Sequence, residues 1–117
     1  MRLVDKPLLV WDGDCGFCRR WVDRCRPFTL DRVDYAPSGE VCADFPDIPA
    51  RDFDRSVVLI EPGGEVSRGA EAVFRALAHA GKARPLWAYR RVPGFARASE
   101  AAYRLVASNR SLLSRLF

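Results

Sequence analysis

The sequence predicts an α/β fold in which a central mixed sheet of about four strands is flanked by helices, with extra helices toward the C-terminus. Two short apolar runs, Leu8–Trp11 and Ser56–Ile60, have the length and the residue types of buried strands. Apolar residues that recur every three or four positions mark a helix between these runs and further helices after Gly69. The 117 residues are enough for one core, so we expect one domain spanning residues 1–117.

The first half of the chain begins with a strand that leads directly into a helix. Strand Leu8–Trp11 ends at the turn-forming segment 12–14. From Cys15 onward the apolar positions follow helical spacing, and Pro27 is expected to end the helix because proline lacks a backbone N–H. The apolar face of this predicted helix holds Cys18, Trp21, Val22 and Cys25.

A second strand, an irregular stretch and a hairpin follow. The second strand is predicted at Val33–Ala36, and segment 37–54 is expected to be irregular with one short helical turn because it is rich in proline. The Pro-Gly-Gly turn at 62–64 then connects strand Ser56–Ile60 to an antiparallel partner at Glu65–Arg68.

Three helical segments are predicted in the second half. The first follows Gly69 and ends near Gly81, the second covers Pro85–Arg91, and the third covers residues 95–109. This order of strand, helix, strand, hairpin and helices is the order of the thioredoxin fold. Beyond these helices lies an apolar tail that is expected to pack inward: Leu112, Leu113, Leu116 and Phe117.

Composition and charge argue against several classes of protein. The chain is 49% hydrophobic and 29% charged, which is typical of a globular domain. No apolar run approaches the length of a membrane span, and segment 1–11 lacks the apolar region of a secretory signal. We therefore expect a cytoplasmic protein without stable membrane association. The net charge of +4 fits single basic residues on solvated helices, so we expect no nucleic-acid partner, even for the aromatic and basic segment 87–91.

Two cysteines, Cys15 and Cys18, are separated by two residues at the predicted helix start. The second falls one turn after the first, so the two sulfurs can reach bonding distance and form a reversible disulfide. The helix N-terminus favours the thiolate form of Cys15, which would attack a substrate disulfide, and Cys18 would then resolve the mixed disulfide. The expected partners are protein or small-molecule thiols and disulfides, and this chemistry needs neither a cofactor nor a metal.

Charged residues surround the cysteine pair. Asp12 is the third candidate catalytic residue, because it could accept the Cys18 proton during resolution, directly or through water; alternatively it only forms the turn. Asp14 is expected to cap the helix. Both carboxylates disfavour a nearby thiolate, whereas Arg19 and Arg20 favour one.

Three segments of the chain resemble a known family. Trp-Asp-Gly-Asp-Cys-Gly-Phe-Cys at 11–18 resembles the motif that names the thiol-disulfide oxidoreductase DCC family, and Gly69–Ala72 and Tyr103–Arg110 are similar to further parts of it. The resemblance implies a thioredoxin-like domain with a redox-active pair at Cys15 and Cys18. Unlike thioredoxins proper, the chain has no proline directly before the strand Ser56–Ile60, so the usual docking loop is not expected.

Two other classes of protein remain as alternatives. Four cysteines allow a Cys₄ zinc site in a non-enzymatic interaction module, although the spacing favours Cys25 as a core residue and Cys42 as a lone loop cysteine. Segment 12–14 after a strand is similar to the nucleophile motif of haloacid-dehalogenase-like phosphatases. The phosphatase interpretation lacks the lysine and acidic motifs that would bind phosphate and magnesium, because Lys6 and Lys82 are the only lysines.

Overall fold

A computed structural model describes residues 4–110 and 112 of the chain and contains a four-stranded sheet. Its strands are β1 (Leu8–Trp11), β2 (Asp34–Pro37), β3 (Val58–Ile60) and β4 (Val66–Arg68). They lie in the order β2-β1-β3-β4, with β1 parallel to β2 and antiparallel to β3, and with β3 antiparallel to β4. The predicted mixed sheet and hairpin are confirmed, with slightly different bounds for the last three strands.

Helices cover both faces of this sheet. Within residues 4–110 they are α1 (Gly16–Thr29), α2 (Ser38–Val41), α3 (Ala50–Arg55), α4 (Gly69–His79), α5 (Arg84–Arg91) and α6 (Phe95–Ser108). A mixed four-stranded sheet flanked by helices in this order is compatible with the thioredoxin-like fold, as the sequence predicted.

The prediction that Pro27 ends the first helix is wrong. Proline removes one intrahelical hydrogen bond, but α1 continues to Thr29 because its last turn has other bonds. The Leu30 N–H donates to the Arg26 carbonyl at 2.9 Å, and Thr29 Oγ1 is 2.6 Å from Tyr35 Oη. Leu30 then ends the helix with a positive φ of 51°.

The segment predicted to be irregular, 37–54, is more ordered than expected. It contains α2, a 3₁₀ turn at Cys42–Asp44 and α3. Its apolar side chains pack against Leu8 and Val10 of β1, and this burial outweighs the turn propensity of its prolines. The buried residues of the segment are Val41, Phe45, Ile48 and Phe53.

Strand β1 lies at the centre of the fold and is buried on both faces. Leu8 and Val10 point to the side of α2 and α3, whereas Leu9 and Trp11 point to the side of α1 and α4, where they pack with Cys18. The residues that directly follow β1 therefore emerge between two packed layers. This placement brings Asp12 to the start of α1.

Helix α6 covers the side of the fold on which Cys18 lies. It packs against α4 and α5, and its Tyr103 contacts the core cluster that contains Cys18. The Glu100 carboxylate accepts the Ala70 N–H at 2.9 Å and the Tyr89 hydroxyl at 2.7 Å. Through these bonds α6 holds both the start of α4 and the middle of α5.

The apolar tail and the basic segment lie toward the C-terminal end. Leu112 is 56% exposed, so inward packing is wrong for this residue, while Leu113, Leu116 and Phe117 lie outside the described residues. Trp87 is also exposed. Of the helices that the structure describes, none has the length and apolar character needed to cross a bilayer. The expectation of no nucleic-acid partner stays a prediction.

Candidate active site

Cys15 is the N-terminal capping residue of α1. Its backbone is extended, and its Sγ accepts the Cys18 N–H at 3.2 Å. This sulfur therefore lies at the positive end of the helix dipole, with a backbone N–H directed at it. The side chain of Cys15 is half-buried, which leaves part of it open to solvent.

The prediction that Asp14 caps α1 is wrong. The Asp14 N–H donates to Asp12 Oδ1 at 3.1 Å, and the Cys15 N–H donates to the Asp12 carbonyl at 3.2 Å. These two bonds form a turn that places Cys15, one residue later than expected, at the capping position. The Cys15 sulfur itself therefore occupies the place of the usual capping oxygen.

Cys18 lies one helical turn later and is only 8% exposed. Burial raises the pKa of the Cys18 thiol to about 12, and its hydrogen bond with Cys15 acts in the same direction. Both cysteines are free thiols, so the structure represents the reduced pair. Cys15 is thus the more accessible sulfur, while Cys18 is held protonated beside it.

Asp12 reaches the cysteine pair from the end of β1. Its side chain is 18% exposed, and its Oδ2 lies 3.4 Å from Nη1 of Arg110. The same guanidinium nitrogen lies 3.5 Å from Cys18 Sγ. The fold therefore brings Asp12 and Cys18 to one shared contact.

Arg110 is the site residue that sequence reasoning missed. Its Nη2 donates to the Asp54 carbonyl at 2.9 Å, while its Nη1 contacts Asp12 and Cys18. Burial works against the guanidinium charge, but the neighbouring sulfurs and Asp12 outweigh it, so the pKa of Arg110 is raised. Arg19 and Arg20, which the sequence favoured as the compensating charges, have exposed side chains. The signal available in the sequence was the Tyr103–Arg110 segment, whose family resemblance does not by itself single out the arginine.

Tyr103 joins α6 to the sheet beside the site. Its Oη accepts the N–H of Val57, directly before β3, at 2.8 Å. Burial raises the pKa of Tyr103 to about 12, whereas the bond from Val57 lowers it. The Val57 N–H is thus occupied from within the chain, two residues after Arg55, the position directly before the predicted strand where the sequence lacks a proline.

A cavity of about 400 Å³ opens beside Cys18 between α1, α4 and α6. This volume lies within the range of small-molecule sites. Asp12, Cys18 and Arg110 line one part of it. Its walls are mainly apolar and include Phe17, Trp21, Val73, Phe74, Ala102 and Val106.

The remaining cysteines do not join the pair. Cys25 is half-buried on α1, and burial raises the pKa of its thiol to about 11, as expected for a packed cysteine. Cys42 is exposed in the 3₁₀ turn. In the described ranges 4–110 and 112, no three His, Cys, Asp or Glu side chains lie together as metal ligands.

The comparisons with known proteins agree with the chemistry of this pair. A family model described as DCC1-like thiol-disulfide oxidoreductase matches residues 9–116. The match includes every residue of the candidate site. No curated protein matches the chain significantly, and neither does a solved structure.

Proposed function

The chain belongs to the DCC1-like thiol-disulfide oxidoreductase family, and from this premise we propose that it exchanges disulfides through Cys15 and Cys18. The observation that carries the proposal is the bond from the Cys18 N–H to Cys15 Sγ, 3.2 Å long. This bond supports a thiolate at an accessible sulfur with a second thiol one turn away. Those are the two requirements of a dithiol exchange site.

The proposed reaction has two steps. In the first, Cys15 thiolate attacks a substrate disulfide; a Cys15-to-substrate disulfide forms, the substrate disulfide breaks, and one substrate thiolate leaves. In the second, Cys18 thiolate attacks Cys15 Sγ; the Cys15–Cys18 disulfide forms and the second substrate thiolate leaves. The two thiolates take protons from solvent, and two electrons pass from the cysteine pair to the substrate. The reverse sequence oxidises a dithiol.

Asp12 is proposed to accept the proton that Cys18 loses before the second step. Support comes from the shared contact with Arg110, which holds the Asp12 carboxylate near Cys18. A water molecule between them is enough for the transfer. In this role Asp12 acts only in resolution, after Cys15 has reacted.

The proposed partners are protein or small-molecule thiols and disulfides. The cavity beside Cys18 supports this, because it gives a substrate an apolar recess next to the reacting sulfurs. We place the reaction in a reducing cytoplasm, where a close cysteine pair is more often catalytic than structural.

Trapping of the mixed disulfide tests the division of roles. We expect Cys15→Ser to abolish exchange and Cys18→Ser to accumulate a stable mixed disulfide with a substrate disulfide, detected by mass spectrometry. Cys42→Ser is the control, because it removes an exposed thiol outside the site. Equal trapping by both site variants would refute the assignment of attacker and resolver.

Zinc analysis of the same protein tests the alternative class. A metal-free protein that shows a two-electron transition between Cys15 and Cys18 in a dithiothreitol titration supports the proposal. Stoichiometric zinc that protects all four thiols until a chelator is added would contradict it.

A further inference from the structure

Arg110 places its guanidinium against Cys18, the proposed resolving sulfur. Its Nη1 lies 3.5 Å from Cys18 Sγ and 3.4 Å from Asp12 Oδ2. Its Nη2 donates to the Asp54 carbonyl at 2.9 Å. The contact with Cys18 joins residues 92 positions apart in the sequence.

We propose that Arg110 is a catalytic residue that stabilises the thiolate of Cys18 while Cys18 attacks the mixed disulfide. This role rests on the proposed exchange function and adds a residue from the far end of the chain to it.

The resolving step is the step in which Cys18 needs help. Burial is the largest effect on its pKa and raises it, the hydrogen bond with Cys15 raises it further, and Arg110 lowers it. Once Cys15 is bonded to the substrate, it no longer carries a thiolate, so its effect on Cys18 disappears. Burial and Arg110 then oppose each other directly, and Arg110 decides how readily Cys18 loses its proton.

The other contacts of Arg110 orient it for this role. The Asp54 carbonyl holds one end of the guanidinium, and Asp12 holds the nitrogen that faces Cys18. A planar group fixed in this way keeps a hydrogen-bond donor on the sulfur without further ordering. Asp12 takes the Cys18 proton, and the N–H groups of Arg110 take over as partners of the new thiolate.

Arg110 only donates hydrogen bonds in this step and gains or loses neither electrons nor a proton. Cys18 thiolate forms a bond to Cys15 Sγ, the bond from Cys15 to the substrate sulfur breaks, and the substrate leaves as thiolate. The proton from Cys18 passes to Asp12 and then to solvent.

A chromogenic disulfide, dithiobis-nitrobenzoate, separates the two steps. Attack by Cys15 releases the first thionitrobenzoate, and resolution by Cys18 releases the second. The assay uses the full chain with Cys25→Ala and Cys42→Ser, so that only the site thiols react. Arg110→Gln is compared with Arg110→Lys and with Arg104→Gln, which removes the same charge from an exposed position of α6.

We expect Arg110→Gln to slow the second release by roughly 10- to 100-fold, the effect of one charge-assisted hydrogen bond, and to move its rise with pH to higher pH. The first release should slow less than the second, because Arg110 acts on Cys15 through charge, whereas on Cys18 it acts through charge and also donates a hydrogen bond. Arg110→Lys should restore part of the second rate, and Arg104→Gln should leave both rates unchanged. A merely structural role would lower both rates or stability without displacing the pH profile.

The outcomes separate failure of this inference from failure of the exchange function. Unchanged second release in Arg110→Gln, or equal slowing in Arg104→Gln, overturns the role of Arg110 while exchange stands. If the otherwise unsubstituted pair releases only one thionitrobenzoate and forms no Cys15–Cys18 disulfide, the exchange function itself fails. If Arg110→Gln does not fold, Asp12→Asn is compared with the double variant Asp12→Asn/Arg110→Gln. The double variant removes both charges and so leaves no unpaired carboxylate. Equal rates of the second thionitrobenzoate release in these two proteins overturn the role of Arg110.

Discussion

Tyr103→Phe removes one oxygen atom and tests how α6 is held on the sheet. The ring stays, so its packing against the core cluster around Cys18 is preserved. What disappears is the acceptor of the Val57 N–H, now 2.8 Å away. Val57 is 5% exposed, so water has little access to the freed N–H.

The expected cost follows from this burial. A buried donor left without an acceptor costs about 1–3 kcal/mol of unfolding free energy. For a chain of this size, each kcal/mol lowers Tm by about 4 °C, so we expect a decrease of about 4–12 °C.

Tyr89→Phe is the matched control, because it deletes the same atom from the same residue type. Its hydroxyl bonds to Glu100, a carboxylate that also accepts the Ala70 N–H and is only partly buried. Water can replace the lost hydroxyl there, so we expect a loss below about 1 kcal/mol.

Urea and thermal denaturation of the reduced proteins, followed by circular dichroism, measure both variants. A Tyr103→Phe protein as stable as the unsubstituted chain, or no less stable than Tyr89→Phe, would refute the reasoning. It would mean that the Val57 N–H finds another partner and that α6 is held by side-chain packing alone.

Three further outcomes are expected. Asp12→Asn should slow release of the second substrate thiol, and the increase in the activation free energy of this step should exceed the loss in unfolding free energy. Exchange kinetics that Asp12→Asn leaves unchanged across roughly pH 6 to 9 would exclude a proton-transfer role. Burial raises the thiol pKa to about 11 for Cys25 and to about 12 for Cys18, so the unfolded chain, with an ordinary thiol pKa of 9.0, releases these protons first. The free energy of unfolding of the reduced protein should therefore stay constant below pH 9.0 and fall as the pH rises through these two raised values. A free energy of unfolding that does not change with pH in alkaline urea titrations would contradict this. Ala102→Trp should narrow the cavity beside the site and slow exchange with bulky apolar disulfides more than exchange with small ones. Ala101→Trp is the control, because Ala101 does not line the cavity, and it should leave both exchange rates unchanged. Equal exchange rates for the two variants would argue against substrate entry through the cavity.

Local patterns in the sequence determined much of this protein. Strand β1 is a compact apolar run with the predicted bounds, and the Pro-Gly-Gly turn specified an antiparallel hairpin. The spacing of Cys15 and Cys18 specified two sulfurs one turn apart at a helix start. Each of these features depends on residues close together in the chain, so the pattern alone was sufficient.

Other features depended on contacts between distant residues. Pro27 was expected to end α1, but the bond between Thr29 and Tyr35 secures the turn beyond it. Segment 37–54 had the composition of a loop, but burial of its apolar side chains against β1 orders it into helices. In both cases tertiary packing outweighed local propensity.

The candidate site divides along the same line. Cys15, Cys18 and Asp12 lie within seven residues and could be named from their spacing. Arg110 could not, because an arginine near the end of an amphipathic helix is indistinguishable in sequence from its solvated neighbours. Only the packing of α6 on α4, with Tyr103 bound to Val57, brings its guanidinium to Cys18. The sequence by itself determined that the sulfurs of Cys15 and Cys18 lie one helical turn apart. The tertiary structure decided that the Arg110 charge faces Cys18, because a side chain's partner across 92 residues is set by the fold and not by local spacing.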